Sequence, residues 1–248
     1  VIAPPPHDAA AHAAFIRGQT AVATAPLVPE LRLHLATEVT PLWQATEALM
    51  RDTGLEPPFW AFAWPGSQAL ARLVLDRPDL VRGRRVLDFA AGCGLAGLAA
   101  ARAGAASVLC ADVDPLAVAA IRLNAALNGL SPRVAVTVAD LLAADGVPAE
   151  PHAHLGDGAV ILAGDVCYER AMADRVTCLL VAQADAGAHV LLADPGRAYL
   201  PDSRLKVEVR LRVPTSLELE DRDVRETTVY RLRAGSDATS SQTKETPS

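Results

Sequence analysis

The sequence predicts an α/β fold, a mainly parallel sheet with helices on both faces, and three observations predict it. Apolar strand-like runs alternate with helical runs through the middle of the chain, and the first of these strands ends in a glycine-rich turn. The chain's 248 residues, 51% of them hydrophobic, suffice for one domain with a well-buried core. That domain is expected over residues 26–233, with a helical lead-in at 26–58. A flexible, Ala- and Pro-rich N-terminus at 1–25 and a polar, disordered tail at 234–248 flank it.

The elements follow in order. In the lead-in, Thr40 can cap, Pro41 suits a first helical turn, and Leu42, Ala45 and Leu49 share one face. Ser67–Asp76 reads as a helix, Arg85–Asp88 as a strand and Leu95–Ala103 as a helix. Ser107–Ala111 is the second strand, and Pro115–Leu127 a helix that Asp114 caps and Asn128-Gly129 stops. Val134–Val138 and Ala159–Ala163 are strands, Met172–Ala184 a helix and His189–Ala193 a fifth strand. Lys206–Val213 and Glu226–Leu232 alternate apolar and polar residues with no full helix between them, so they read as an antiparallel pair closing one edge.

Composition narrows the function. A net charge of −6 gives no basic field for nucleic acid. The four cysteines, Cys93, Cys110, Cys167 and Cys178, lack C-x-x-C spacing and fit a reducing compartment. His152 and His154 have no third ligand nearby, so no metal site is expected. No apolar run reaches the roughly 18 residues of a membrane span, and the first residues do not form a signal peptide. Arginines and alanines with only Lys206 and Lys244 for lysines suggest a GC-rich bacterial gene and a cytoplasmic protein.

The turn Gly92-Cys93-Gly94-Leu95-Ala96-Gly97 matches G-x-G-x-x-G, with Asp112 where a dinucleotide fold needs an acid for the ribose. Asp88 argues against a dinucleotide. A carboxylate beside a pyrophosphate costs on the order of 1 to 4 kcal/mol at ~4 Å, whereas beside a cationic ligand it helps. S-adenosylmethionine carries a sulfonium and an ammonium against one carboxylate. For that ligand the register becomes Asp88-x-Ala90-x-Gly92-x-Gly94, and Ala90 to Gly92, with Ala91 between them, form the cradle. Ala90 is tolerated there provided its backbone is not left-handed, and Gly97 becomes a helix–sheet packing residue.

Asp112 would then hold the ribose hydroxyls, Val113 would pack on adenine, and Asp140, followed by Leu141, would accept from the adenine amino group. The alternative for Asp112 is a helix cap shared with Asp114, and for Asp140 a plain turn. At the fourth strand, AVILAGDVCYE places Asp165 at its carboxyl end with Tyr168 shortly after. Methyl transfer needs a neutral nucleophile held in line, and presenting a free lysine amine at pH 7 costs about 4 to 5 kcal/mol. Asp165 would orient that amine, the sulfonium would oppose its charge, water would take the proton, and Tyr168 would supply a second contact. The alternative is that Asp165 caps the next helix and Tyr168 packs. The strip Phe59, Trp60, Phe62, Trp64 could wall a pocket, with Trp64 over the cofactor, or pack in the core. Asp194 and Arg197 either touch the substrate or build a turn.

Taken together, PPFWAFAWPGSQALARLVLD, VLDFAAGCGLAG, ADVDPLAVAAIRLNAALNG, GDVCYE and ADPGRAYLP resemble the class I, seven-strand methyltransferases. They look most like the lysine methyltransferases of the electron transfer flavoprotein β subunit. The resemblance implies a Rossmann-like sheet of order 3-2-1-4-5-7-6 with the seventh strand antiparallel. It implies S-adenosylmethionine contacts at Trp64, around Ala90 to Gly92, at Asp112, and near Asp140 and Gly164, and lysine contacts at Asp165 and Tyr168. Trp60, Phe62, Asp194 and Arg197 complete the expected substrate side, and Asp88, Ala91, Gly94, Val113 and Leu141 the cofactor side. The expected partner is a protein substrate, the flavoprotein β subunit, met by a monomer; a mitochondrial address applies if the gene is eukaryotic. A ribosomal protein or a small amine is the alternative substrate, and a nicotinamide-dependent oxidoreductase the alternative class.

Overall fold

The structure is a computed structural model that describes residues 8–36, 57–143, 156–201 and 203–235. Its centre is a sheet built from β3 (Arg85–Phe89), β4 (Ser107–Asp112), β5 (Val134–Val138), β6 (Val160–Gly164), β7 (His189–Asp194), β8 (Leu205–Pro214) and β9 (Val224–Leu232). The strands lie in the order β5-β4-β3-β6-β7-β9-β8. The first five are parallel, and β9 runs antiparallel to both β7 and β8. The order is the one the family resemblance implies, and β8 and β9 form the antiparallel edge pair that the alternating pattern predicts.

Strand period sets the layers, because successive side chains point to opposite faces. Val86, Val108 and Leu162 face one side, against α2 (Pro65–Asp76) and α3 (Leu95–Arg102). Leu87, Leu109, Ile161 and Leu192 face the other, with Val176 and Leu180 of α5 (Arg170–Asp185). The helix α4 (Pro115–Leu127) begins at Asp114, whose carboxylate accepts from the Leu116 N–H at 2.8 Å. On the first face Gly97 lets α3 approach so closely that a Cβ there would stand 2.5 Å from Cys110 Sγ and 2.9 Å from Asp88 Oδ2.

The N-terminal expectations need correction. Residues 8–25 are not loose: Asp8 caps α1 (Ala9–Gln19), and β1 (Ala21–Ala25) pairs antiparallel with β2 (Val28–Leu35). Alanine richness here reflects helix propensity rather than disorder, and Ile16 is fully buried beside Trp60, Leu116 and Ala120. Nor is the lead-in helical where it is described. In VPELRLHL, Leu31 and Leu33 turn inward while Arg32 faces out, the period-2 pattern of a strand. The helical face of Leu42, Ala45 and Leu49, the pair His152 and His154, and the tail after residue 235 lie outside the described residues.

Buried Asn124, with Asn128 one turn on, pins the hairpin to the sheet domain. Asn124, fully buried on α4, accepts from the His34 N–H at 2.7 Å and donates to the Cys93 carbonyl at 2.9 Å. It thereby joins β2 to the glycine turn. Asn124→Ala should destabilise the protein by about 1 to 3 kcal/mol, because both backbone groups lose their partner in a dry environment. A thermal melt unchanged from the parent would show that these bonds add nothing.

Candidate functional site

The carboxyl edge of the parallel strands, where an open α/β sheet binds its ligand, carries a cavity of about 290 Å³. Its floor is the glycine turn after β3. Ala90 and Gly92 line the cavity, and both have left-handed backbone, at φ 50° and 54°. The proviso on Ala90 is therefore not met: this alanine sits where L-residues pay roughly 1 to 2 kcal/mol. Asp112 at the end of β4 fixes the turn, its Oδ2 accepting from the Gly92 N–H at 2.8 Å and its Oδ1 from the Asp114 N–H at 3.0 Å. Asp112, Val113 and Asp114 form one wall.

The opposite wall is Gly164, Asp165, Val166 and Tyr168 after β6. Asp165 is itself left-handed, at φ 56°, and three groups hold it there. Its N–H donates to the Ala193 carbonyl at 3.0 Å, its Oδ2 accepts from the Gly66 N–H at 2.5 Å, and its Oδ1 lies 3.5 Å from the Arg197 guanidinium. Burial pushes its carboxyl up to about 7, against the lowering pull of Arg197 and of the Gly66 N–H. Glu169, not Asp165, caps α5, accepting from the Ala171 and Met172 N–H groups, so the capping alternative for Asp165 fails.

Aromatic rings close the mouth. Trp60 and Trp64 line the cavity as expected, and so does Phe59, packed 5.8 Å from the rings of both Trp64 and Tyr168. Trp64 is aimed by its indole N–H, which donates to the Phe59 carbonyl at 2.9 Å. Tyr168 is 48% exposed, which suits a rim residue that meets a partner rather than a packed one.

Other expected residues are placed elsewhere. Asp88, 3% exposed, turns beneath α3, where its Oδ2 accepts from the Gly97 N–H at 2.8 Å; it does not line the cavity. Its side chain packs under α3, on the opposite face from the next residue, Phe89, which is buried in the other layer, so it cannot discriminate between ligands in the way expected. Ala91, Gly94 and Phe62 support the walls from behind without lining them: Ala91 donates to the Ala111 carbonyl, Gly94 begins α3, and Phe62 packs on Trp64. Asp140 accepts from the Leu142 N–H and pairs with Arg175 at 3.7 Å, and Leu141 is buried, so the turn reading of Asp140 accounts for these contacts. Asp194 is 1% exposed and its Oδ1 accepts from the Gly196 and Arg197 N–H groups, a turn that presents Arg197 to the cavity. Met172 and Asp114 are lining residues that sequence reasoning missed, as helical spacing marks neither as functional. Among the described residues no cluster of His, Cys, Asp and Glu could hold a metal ion.

Residues 69–160 match the family model described as ribosomal protein L11 methyltransferase (PrmA). The chain is 38% identical over 199 residues to the electron transfer flavoprotein beta subunit lysine methyltransferase of Xenopus laevis, spanning 80% of this chain and 76% of that one. To the protein of the same name from Danio rerio it is 33% identical over 217 residues, 85% and 79% of the two chains. Its structure is similar to that of a ribosomal protein L11 methylase from Lactobacillus delbrueckii subsp. bulgaricus, with a TM-score of 0.45 and 20% identity over 73% of this chain and 83% of that one. The sheet and these relatives define a Rossmann-like, S-adenosylmethionine-dependent methyltransferase acting on protein lysine. Within that class, the chain belongs to the electron transfer flavoprotein beta subunit lysine methyltransferase family.

Burial of Asp88 has a measurable cost. Burial pushes its carboxyl up to about 7 in the folded protein, against about 3.9 unfolded. Between those values the folded state binds more protons, so stability falls as pH rises. Asp88→Asn keeps an acceptor for Gly97 and has no charge to desolvate, so it should lose less melting temperature than the parent between about pH 4 and about pH 7. Equal losses in the two proteins would contradict the buried, proton-binding Asp88.

Proposed function

We propose that this enzyme transfers a methyl group to a lysine of the electron transfer flavoprotein β subunit. The observation that carries the reading is Asp165, strained and hydrogen-bonded at the cavity wall, with Tyr168 and two further aromatic rings at the mouth. Strained backbone held by its surroundings is a recurrent mark of functional positions. The names of the relatives supply the substrate.

In this reading Trp64, Ala90, Gly92, Asp112, Val113 and Gly164 hold the cofactor. The cavity suits it in size, near the lower end of the roughly 300 to 1,000 Å³ of ligand pockets, and in chemistry. Asp112 stands where ribose hydroxyls need an acceptor, Val113 and Trp64 offer apolar faces, and the carboxylates of Asp114 and Asp165 favour a cationic ligand. S-adenosylmethionine supplies, when bound, a methyl group on a sulfonium that an amine can displace. Asp165 Oδ1 accepts a hydrogen bond from the lysine amine and so fixes the direction of its lone pair. Tyr168, Phe59 and Trp64 pack around the lysine methylenes and exclude water. Arg197 and Trp60 shape the substrate side from below.

In this reading the partner is a protein, bound by a monomer with neither nucleic acid nor membrane involved. The enzyme works beside its substrate, in the cytoplasm of a bacterium or, for a eukaryotic gene, in the mitochondrion. Incubation with labelled S-adenosylmethionine and the flavoprotein β subunit should label lysine. Asp165→Ala should lower the rate by about 10²-fold or more while retaining affinity for S-adenosylhomocysteine. A binding-competent enzyme that leaves the β subunit unlabelled would contradict the substrate, and loss of cofactor affinity in the variant would reassign Asp165.

A further inference from the structure

Behind the site lies a buried carboxylate that does not line the cavity. Glu220 ends the short helix α6 (Leu217–Glu220) between β8 and β9 and is 3% exposed. Its Oε1 accepts from the Arg197 guanidinium in a short contact, and its Oε2 and carbonyl oxygen each accept from Arg225 at 3.0 Å. Arg197 stands farther from Asp165, 3.5 Å from Oδ1. Asp165 is therefore flanked by Arg197 from the β7–β8 connection, Glu220 from α6 and Asp194 from the end of β7, with the Gly66 N–H of α2 on its other oxygen. Asp165, Asp194 and Glu220 face Arg197 and Arg225, so the ionised cluster carries one negative charge in excess.

Released from Glu220, Arg197 can close fully on Asp165, which it already meets at the outer limit of a hydrogen bond. A guanidinium and a carboxylate pair through two parallel hydrogen bonds, and closing the 3.5 Å gap to Asp165 would occupy Oδ1. We propose that Glu220 is a positioning residue for the substrate lysine: it draws Arg197 to itself, holds the guanidinium beside Asp165 rather than on it, and so leaves Oδ1 to the lysine amine. The inference rests on the assignment of Asp165 to the lysine.

The test reads Asp165 without substrate. Carbon-13 NMR of aspartate-labelled full-length protein, with the Asp165 signal assigned by its loss in Asp165→Asn, follows the carboxyl through pH. Glu220→Gln should move its titration to lower pH as Arg197 closes on it, and Arg197→Met should move it to higher pH. In the double variant most of the downward shift should vanish. Glu220→Asp, which keeps the charge on a shorter arm, should shift it downward by less, and stands in if the glutamine variant does not fold. In kinetics Glu220→Gln should lower kcat/KM for the protein substrate about tenfold, the factor carried by one charge-assisted hydrogen bond, with S-adenosylhomocysteine affinity little changed. A folded Glu220 variant whose Asp165 titration stays in place overturns the proposal. An Asp165→Asn enzyme that methylates normally overturns the lysine assignment itself, whatever the titrations show.

Discussion

The start of α2 lies against the carboxyl ends of β6 and β7 with no room for a side chain on either partner. A Cβ on Gly66 would fall 2.5 Å from Asp165 Oδ2 and 2.9 Å from the Ala193 carbonyl, and one on Gly164 would fall 2.9 Å from the Ser67 nitrogen. Overpacking of this kind costs about 1 to 3 kcal/mol where neighbours can yield, and here the neighbours are mainly backbone. This contact determines the site. It brings the Gly66 N–H to Asp165, holds that residue in left-handed backbone, and sets Trp64, the residue before α2, over the mouth of the cavity.

Two aspartates, Asp88 buried and Asp165 half-buried, show how the same fold uses one residue type in opposite ways. Burial pushes both carboxyls up to about 7. Asp88 spends its acceptor on the Gly97 N–H at the start of α3, which stabilises a helix N-terminus and keeps the charge away from the ligand. Asp165 follows the next strand of the sheet, β6, and faces the cavity, with Arg197, Glu220 and Arg225 arranged behind it. The difference lies in which face of the sheet each residue takes and which helix begins beside it.

Much of this was legible in the sequence, and the losses have physical causes. The alternation of β4, β6 and β7 with their helices gave the layers, since periods of 2 and 3.6 are local signals. The Asp165–Tyr168 signature and three residues of the aromatic strip, Phe59, Trp60 and Trp64, line the cavity. Asp88 was misplaced because one residue of strand register moves a side chain from the ligand edge to the helix face. The hairpin of β1 and β2 was missed because AVATA is alanine-rich and Pro29 breaks the alternation of VPELRLHL, and the hairpin is anchored by Asn124 and Asn128, distant in sequence. Glu220 gave no signal at all: its role arises only when α6 brings it against Arg197 of the β7–β8 connection, and the glutamates of LELE read as solvated surface.

The central claim is that the cavity floored by Ala90 and Gly92 and walled by Asp112 is the cofactor site. Calorimetric titration of the parent and of Asp112→Ala with S-adenosylhomocysteine and with NADH tests it most directly. The account predicts binding of S-adenosylhomocysteine by the parent, a loss of about tenfold or more in the variant as a charge-assisted contact and the Gly92 tether disappear, and no heat with NADH. Unchanged affinity in Asp112→Ala, or tight binding of NADH by the parent, would contradict it.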